Sequence, residues 1–224
     1  MSFFSSLLDL LFPPKCVFCG KVLGAGNTWC VKCESGLPFT SNGGRRDGEI
    51  YDFCIAPLYY EGLVRKSILR YKFRGASSYA GAYGKILAAC VRDNLNTGNL
   101  NTGYTAGYDV ISWVPLSNRR KRARGYDQAM LLALATALEL GDVAVETLSK
   151  PHDVIAQSEL SGKDERRANI SGAYEAVDAE LILGKTVLLI DDIVTTGSTL
   201  DECARILLDA GASRVVCAAL ARAE

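Results

Sequence analysis

An α/β fold built on a parallel sheet is predicted by the regular alternation of strand-like and helix-like segments in the second half of the chain. Strand patterns occur at residues 109–115, 143–148, 187–190 and 215–220, and helix patterns at 128–140 and 199–210. Residues 187–190 are all apolar, which is typical of a central strand covered on both faces. Strands that alternate with helices in this way usually lie parallel in one sheet, with helices packed against it.

The region before these segments adds one strand, two helices and a short N-terminal unit. Residues 53–60 predict a strand that ends at Gly62, and residues 63–72 and 81–94 predict helices. The polar stretch SNGGRRDGE at 41–49 marks a change in composition, so we place a boundary near residue 48. We therefore expect a small segment at 1–48 and a larger domain at 49–224. Residues 94–107 contain Asn-Leu-Asn-Thr-Gly twice and predict a loop, to which we assign no function.

Length and composition are those of an ordinary globular protein. The 224 residues suit one domain, or one domain with a small appendage, and the 25 basic and 25 acidic side chains balance. Net charge therefore gives no indication of nucleic-acid binding. The apolar start, SFFSSLLDLLFPP, lacks a basic region and a cleavage site and is too short to cross a bilayer. We expect a cytoplasmic protein whose N-terminal amphipathic helix ends at Pro13 and packs on the protein itself, with membrane contact as the alternative.

Four of the eight cysteines form two Cys-x-x-Cys pairs, which are separated by ten residues: Cys16, Cys19, Cys30 and Cys33. Four thiolates at this spacing can surround one Zn²⁺ tetrahedrally. A catalytic zinc usually has a histidine or carboxylate ligand and an open position, and the only histidine, His152, is distant in sequence. We therefore predict a structural zinc site, with redox pairs or buried thiols as the alternatives. The other cysteines lie in apolar patterns and are interpreted as small core residues: Cys54, Cys90, Cys203 and Cys217.

The sequence IDDIVTTGST at 190–199 places two carboxylates and several hydroxyl side chains between a buried strand and a helix. Ligands of parallel sheets bind beyond the carboxyl ends of the strands, so we expect Asp191 and Asp192 to emerge there. The following loop offers amides, hydroxyls and a helix dipole to one anion. Its members are Thr195, Thr196, Gly197, Ser198 and Thr199. We predict a phosphate site, and because carboxylates repel a bare phosphate, the hydroxyls of an attached sugar are their natural partners.

A simpler alternative is a capped helix that follows a buried strand. Thr199 with Glu202 fits a capping box, and Gly211 would end the helix. This alternative explains neither the two adjacent carboxylates nor the three further hydroxyl residues. The chain contains no Gly-x-x-x-x-Gly-Lys-[Ser/Thr] loop and no Gly-x-Gly-x-x-Gly turn that opens a helix. A phosphorylated ribose accounts for both halves of the motif.

The stretch IDDIVTTGST resembles the phosphoribosyl pyrophosphate motif of type I phosphoribosyltransferases. Four further stretches are similar to the ComF family, also called competence protein F or amidophosphoribosyltransferase-like proteins: LLDLLFPPKCVFCG near the start, YKFRG at 71–75, VPLSNRRKRARGYDQA at 114–129 and QSELSGKDERRANISGAY at 157–174. Together they cover nearly the whole chain in the family's order. The resemblance implies a type I phosphoribosyltransferase-like sheet flanked by helices, with a small N-terminal four-cysteine segment like a zinc ribbon.

The resemblance also implies roles for parts of the chain. Asp191 and Asp192 would be the catalytic pair that binds the ribose hydroxyls, and the loop 195–199 would bind the 5-phosphate. The loop 115–125 would bind pyrophosphate together with Mg²⁺. A hood at about 49–85 would select the acceptor, and a flexible loop at about 149–172 would close over the reacting centre. Three residues of that loop recur in the family: Gln157, Arg166 and Asn169.

Five cations occupy six positions within the predicted pyrophosphate loop: Arg119, Arg120, Lys121, Arg122 and Arg124. A pyrophosphate leaving group needs positive charge nearby, and a solvated basic face or a nucleic-acid contact is the alternative. We predict that Arg119 and Arg124 bind the substrate, as does Lys72 in the basic stretch at 72–75. Asp127 stands where the family commonly has Asn and adds a negative charge near this site.

The residues, together with what the resemblance implies, lead us to expect one of two functions. The first is a cytoplasmic phosphoribosyltransferase that displaces pyrophosphate from C1 of the sugar in favour of a nitrogen acceptor, with Mg²⁺ and a structural zinc. The second is a non-catalytic protein that binds phosphoribosyl pyrophosphate or assists DNA uptake, with single-stranded DNA or the competence machinery as partner. The intact Asp191-Asp192 pair favours the first. A zinc-ribbon DNA-binding module is a third interpretation, and the balanced charge disfavours it.

Overall fold

The computed structural model describes residues 13–24, 26–95, 107–151 and 172–224. The predicted N-terminal helix, the repeat at 94–107 except for its ends, and most of the predicted flexible loop lie outside these ranges, as do His152, Gln157, Arg166 and Asn169. Within the described residues the chain forms a central sheet between two layers of helices. The prediction of an α/β fold with a parallel sheet is therefore confirmed.

The sheet has the strand order β1-β2-β8-β7-β4, and β3 also pairs with β8. The strands are β1 (Arg46–Asp47), β2 (Phe53–Ile55), β3 (Leu58–Tyr59), β4 (Val110–Trp113), β5 (Leu148–Ser149), β6 (Glu175–Ala176), β7 (Thr186–Val194) and β8 (Arg214–Arg222). The helices are α1 (Val31–Glu34), α2 (Gly62–Phe73), α3 (Tyr79–Leu95), α4 (Asn118–Arg124), α5 (Gln128–Leu140) and α6 (Ser198–Asp209), with 3-10 segments at Ser41–Gly44 and Ala179–Leu181. All pairs in this sheet are parallel except β1 with β2.

The two central strands bury both of their faces, which explains their continuous apolar character. Leu188 and Ile190 of β7 pack in one core layer with α2, α3 and α5. Val187 and Leu189 pack in the other with α6. Because successive side chains of a strand point to opposite faces, even-numbered and odd-numbered residues from 187 to 190 belong to different layers. This alternation decides where the acid pair at the end of β7 points.

Helices α3 and α5 pack closely in the first layer. A Cβ added at Gly84 of α3 would lie 2.7 Å from the backbone carbon of Ala135 in α5, so glycine permits the approach. Helix α5 begins at Gln128, as predicted, because the Asp127 side chain accepts from the amides of Ala129 and Met130. The helix ends at Gly141 with φ of 76°.

Two strand predictions were only partly right. Residues 53–60 form two short strands, β2 and β3, separated by Ala56 and Pro57, and both pair with β8. Proline has no amide to give to a neighbouring strand, which accounts for the interruption. In the predicted strand 143–148, Ala144 makes an isolated bridge to Ile111, and strand pairing begins only at Leu148.

The N-terminal segment packs against the sheet. Thr40 donates its hydroxyl to the Ala56 oxygen at 2.7 Å, and Ala56 donates its amide to the Gly43 oxygen at 2.7 Å. Cys16, Val17, Phe18 and Cys33 belong to the same core layer as α2 and α3. The boundary near residue 48 stays a prediction. The residues before and after it are joined by these hydrogen bonds and by a common core.

Among the residues that the structure describes, no helix has the length and apolar character required to cross a bilayer.

Candidate phosphoribosyl and zinc sites

The acid pair lies within β7 itself, whereas we expected it just beyond the strand. Trp113, the last residue of β4, pairs with Ile190, so β7 extends past β4 by four residues. On its other side β7 remains paired with β8, where Asp191 lies opposite Ala219. Asp191 and Asp192 therefore sit on a rigid strand, beside the point at which β4 turns away into α4. Such a position at the carboxyl end of a parallel sheet is where ligands of these folds bind.

The two carboxylates point into different layers. Asp192 is 3% exposed and faces the layer of α2 and α5, whereas Asp191 is half-buried on the side of α6. Burial, reinforced by the charge of Asp192, raises the pKa of Asp191 to about 8, although Lys72 opposes this effect. Its carboxyl accepts a hydrogen bond from the neighbouring residue, because the Asp192 amide donates to Asp191 Oδ1 at 2.7 Å. Burial and the neighbouring charge therefore favour the protonated form of Asp191 in the free protein.

Lys72, at the end of α2, binds the second carboxylate. Its Nζ lies 2.8 Å from Asp192 Oδ1, and the two side chains are 18% and 4% exposed. The other carboxylate oxygen, Oδ2, is buried and has no hydrogen-bond partner in the described part of the chain. An uncompensated buried acceptor is costly, so this oxygen is available to a donor that enters the site.

The predicted pyrophosphate loop contains a short helix, α4, whose cationic side chains differ in burial. Arg124 lies with its guanidinium carbon 4.7 Å from the centre of the Phe73 ring, and its Nη1 is buried without a partner among the described residues. Burial lowers the pKa of Arg124, and the charge of Asp192 opposes this effect. Arg120, one turn earlier, lines the same cleft of about 470 Å³ with Phe73, Ala123 and Arg124.

Arg119, our other predicted substrate residue, is exposed and does not belong to the described lining of this cleft. The spacing of residues in a helix explains the difference, because positions four apart share a face and adjacent positions do not. A prediction of α4 as a helix would have placed Arg120 on the same face as Arg124.

Asp127 has a structural role, because amides of the chain bind the negative charge that we expected near this site. Its Oδ1 accepts from the amides of Ala129 and Met130, the second and third residues of α5, and its Oδ2 accepts from the Leu116 amide at 2.9 Å. Three amides therefore surround the buried carboxylate and hold the segment after β4 against α5. The pattern of an aspartate directly before an apolar helix was the available signal for this N-cap.

The predicted phosphate loop turns directly from β7 into α6. Gly197 has φ of 87° and precedes the first helical residue, Ser198, with no side chain capping the helix. The hydroxyls of Thr196 and Ser198 lie 3.0 Å apart, and Thr195 and Thr196 are exposed. A helix N-terminus of this kind, with hydroxyls beside it, suits an anion.

The predicted capping box was wrong. Glu202 accepts from the amide of Gly172 at 3.2 Å and from Arg205, which holds its pKa below the usual range. Glu202 therefore binds the chain at residue 172 instead of the start of its own helix, and leaves the first turn of α6 without that cap.

The segment at 46–51 contacts the predicted phosphate loop and the helix that follows it. Arg46 Nη1 donates to the Thr195 oxygen at 3.1 Å. Asp201 of α6 accepts from the amides of Glu49 and Ile50. A Cβ added to Gly197 would lie 2.7 Å from the Tyr51 hydroxyl. The polar composition of this stretch indicated a linker, and no local pattern reveals that it folds back on a loop about 150 residues away.

The two ends of the predicted flexible loop are held together. Leu148 and Ser149 of β5 pair antiparallel with Glu175 and Ala176 of β6. Lys150 donates to the Tyr174 hydroxyl at 2.8 Å, and burial raises the pKa of Tyr174. The charge of Asp191 adds to that increase.

The four N-terminal cysteines form a second site. Their sulfur atoms all lie within 4.8 Å of one another, and Cys19 Sγ is 3.8 Å from Cys30 Sγ. Zn–S bonds of about 2.3 Å place the sulfurs of a tetrahedral site about 3.8 Å apart, so the cluster fits one zinc ion. Burial opposes ionisation of Cys16, but the amides of Cys19, Cys30 and Phe18 lower its pKa to about 6. The prediction of a structural zinc site is supported by this geometry.

Cys54, Cys90, Cys203 and Cys217 are buried, as predicted, and burial raises the pKa of each thiol.

Two protein-family models and two solved structures match parts of the chain. Residues 128–224 match the phosphoribosyl transferase domain family, and residues 7–45 match the double zinc ribbon domain family. Two solved structures, the allosteric regulatory enzyme of purine biosynthesis and the glutamine phosphoribosylpyrophosphate amidotransferase from B. subtilis, each align with 65% of this chain and 26% of their own, so the chain spans about a quarter of their length. They are 21% and 20% identical to it, both with a TM-score of 0.42.

Curated relatives match over more of the chain. "DNA utilization protein YhgH" of Escherichia coli O157:H7 is 30% identical over 207 residues, which are 89% of this chain and 86% of that protein. "Competence protein ComFC" of Bacillus subtilis is 28% identical over 156 residues, 68% of this chain and 56% of that protein. "Competence protein F" of Haemophilus influenzae is 33% identical over 213 residues, 94% of this chain and 85% of that protein. With this identity over most of both chains, the protein belongs to the ComF family.

Proposed function

We propose that this protein is a phosphoribosyltransferase that binds phosphoribosyl pyrophosphate with Mg²⁺ and displaces pyrophosphate. The observation that carries the proposal is the arrangement at the end of β7. There an acid pair, a loop of hydroxyl residues before a helix, and the cleft containing Arg124 lie next to one another. These three parts suit, in order, the ribose hydroxyls, the 5-phosphate and the pyrophosphate of one substrate.

The loop 195–199 would bind the 5-phosphate through backbone amides and the hydroxyls of Thr196 and Ser198. Asp192 Oδ2 and the Asp191 carboxyl would accept hydrogen bonds from the ribose hydroxyls, which satisfies the buried oxygen left without a partner. Arg124 and Arg120 would bind the pyrophosphate, and the unpartnered Arg124 Nη1 would gain an acceptor. Lys72 would then bind a substrate oxygen or remain with Asp192.

In the proposed reaction, a nitrogen of the acceptor forms a bond to C1 of the ribose while the bond from C1 to the pyrophosphate oxygen breaks. The electron pair of that bond leaves with pyrophosphate, and the acceptor nitrogen then loses its proton. Positive charge develops on the sugar in the transition state, so the carboxylates beside it lower the barrier by electrostatic stabilisation. Mg²⁺ bound with the substrate would neutralise charge on the leaving group, with the carboxylates as its oxygen ligands in this chain.

Calorimetric titration with phosphoribosyl pyrophosphate and Mg²⁺ tests the binding step. We expect wild-type protein to bind, and Asp191→Asn with Asp192→Asn to weaken the affinity at least tenfold, which corresponds to about 1.4 kcal/mol. Asp209→Asn with Glu139→Gln, two exposed acids outside the site, is the control for loss of two acidic side chains. Arg124→Ala should weaken binding, whereas Arg122→Ala, an exposed residue of the same helix, should leave it unchanged.

Turnover is tested by pyrophosphate release in the presence of a panel of nitrogen acceptors, from ammonia to nucleobases. Release that depends on an acceptor, and that Asp191→Asn reduces, supports the enzyme. Binding without release from any acceptor supports the alternative of a non-catalytic phosphoribosyl pyrophosphate-binding protein. Absence of binding to folded wild-type protein rejects both.

A second candidate function is assistance in DNA uptake, acting with single-stranded DNA or with the competence machinery. Its support is the exposed basic face of α4, which includes Lys121 and Arg122, and the names of the relatives, competence protein F and DNA utilization protein. Anisotropy of a labelled oligonucleotide at several salt concentrations tests it, because phosphate contacts weaken steeply as salt rises. Under either function we propose a cytoplasmic location, where reduced thiols are available to zinc.

A further inference from the structure

Helix α2 contacts the zinc-binding cluster directly. Arg70 Nη2 donates to the backbone oxygens of Val17 and Phe18, at 2.9 and 2.7 Å. Ser67, one turn earlier, donates its hydroxyl to the same Val17 oxygen and lies 2.6 Å from the Tyr83 hydroxyl. Val17 and Phe18 are the two residues between Cys16 and Cys19, so their carbonyls keep these positions only while that Cys-x-x-Cys turn keeps its shape.

The last turn of the same helix reaches the candidate phosphoribosyl site. Tyr126 donates its hydroxyl to the Tyr71 oxygen, and Tyr71 donates its own hydroxyl to the Gln128 oxygen at 2.7 Å. The next residue, Lys72, forms the ion pair with Asp192. Only one residue therefore separates the side chain that holds the cysteine turn from the side chain that holds the carboxylate.

We propose that Arg70 is a positioning residue that couples the zinc-binding cluster to the Lys72–Asp192 ion pair. The metal would fix the Cys16–Cys19 turn, and the two carbonyls of that turn would fix Arg70. Because Arg70 and Lys72 belong to the same helical turn, this would set the position of Lys72 relative to Asp192. A guanidinium is suited to this task because its donors hold a fixed geometry, and the two bonds to neighbouring carbonyls orient it. The Arg70 guanidinium also lies 5.9 Å from the centre of the Tyr79 ring, which steadies it from α3.

Coupling of this kind is reciprocal, since a site that is stabilised by metal must in turn stabilise the metal. A change at Lys72 should therefore alter zinc retention, although Lys72 is not a ligand and lies at the other end of the contact chain. It should do so only while Arg70 is present. The part of the proposal that involves substrate rests on the proposed function, and the part that involves the ion pair does not.

The first experiment measures transfer of zinc from full-length, zinc-loaded protein to a chromophoric chelator. We expect Lys72→Met to accelerate transfer severalfold over wild type, and to have no further effect in an Arg70→Met background. Asp192→Asn breaks the same ion pair from the other side and replaces Lys72→Met if that variant does not fold. Arg65→Met removes an exposed arginine of the same helix and should behave like wild type. Arg70→Lys, which keeps the charge, should restore part of the coupling.

Hydrogen exchange of the zinc-loaded proteins supplies an independent measurement. In Arg70→Met we expect faster exchange in the last turn of α2 and at residues 191–192, with β8 unchanged. Phosphoribosyl pyrophosphate with Mg²⁺ should slow zinc transfer in wild type and not in Arg70→Met.

Two results would overturn the inference. In the first, the double variant transfers zinc at the rate expected if the effects of Lys72→Met and Arg70→Met were independent. In the second, the hydrogen-exchange pattern of Arg70→Met is the same as that of Arg65→Met. If phosphoribosyl pyrophosphate does not bind wild-type protein, the proposed function fails, while the chelator and exchange measurements still decide the coupling.

Discussion

Lys72 Nζ lies 2.8 Å from Asp192 Oδ1, and this ion pair joins the end of α2 to the end of β7. Both partners are largely removed from solvent, and the carboxylate is the more buried of the two. In the free protein one oxygen of Asp192 is thus already bound by a cation of the chain, while the other has no partner among the described residues. A donor that binds Oδ2 would leave the ion pair with Lys72 in place, whereas a ligand that needs both oxygens would have to break it.

Breaking this pair from one side should destabilise the protein. Lys72→Met leaves the buried Asp192 charge uncompensated, and we expect the free energy of unfolding to fall by about 3 kcal/mol, at the lower end for buried pairs. The double variant with Asp192→Asn should lose less than the sum of the two single changes. Urea unfolding measures all three. Asp47→Asn, which breaks the exposed pair with Arg45, is the control and should change stability by less than about 1 kcal/mol.

Stability should depend on the ionisation of Asp191. Burial raises the pKa of this carboxyl to about 8 in the folded protein, whereas in the unfolded chain it ionises near its ordinary value of 3.8. The folded state therefore binds more protons between these pH values, and its contribution to stability falls as pH rises through that window. Asp191→Asn removes this loss. Relative to wild type, we expect its melting temperature to be several degrees higher at about pH 8.5 than at about pH 3.5, which lies below both pKa values. A difference that does not vary with pH would contradict the shifted ionisation.

Gly197 should tolerate no side chain, for two separable reasons. Its φ of 87° costs an alanine about 1–2 kcal/mol, and the added Cβ would meet the Tyr51 hydroxyl at 2.7 Å. Gly197→Ala should therefore destabilise the protein more than Gly141→Ala, where φ is 76° and the space is open. Adding Tyr51→Phe to Gly197→Ala should recover the part that is due to the contact. Equal melting temperatures of the two glycine variants would mean that Tyr51 yields without cost.

Zinc should be present at about one ion per chain and should stabilise the N-terminal segment. Cys30→Ser removes one of the four ligands, so we expect it to lose most of the metal and to lower the melting temperature. Cys90→Ala, at a buried cysteine outside the cluster, should keep the full metal content. Metal analysis of protein purified under reducing conditions measures both, and a fully folded, metal-free wild-type preparation would reject the structural zinc.

Local sequence patterns were sufficient for the features that depend on residues close together in the chain. The apolar run before Asp191 indicated a buried strand and the two Cys-x-x-Cys pairs indicated a metal cluster, while the anion loop at 195–199 stays a prediction. Strand alternation could also have shown that Asp191 and Asp192 point into different layers, because it requires only the period of the strand. Likewise, an aspartate before an apolar helix identifies Asp127 as an N-cap.

The tertiary structure alone decided which distant residues complete these features. Lys72 binds Asp192 and Arg70 binds the cysteine turn, because both side chains belong to α2, which extends from one site to the other. Arg46 and Tyr51 contact the loop at 195–197. The register of β4 against β7 likewise decided that the acid pair lies beyond the end of β4. Local patterns reflect the secondary structure and burial of a segment, whereas these contacts depend on how whole layers pack. The sequence thus determined the chemistry available at each site, and packing determined which charges meet there.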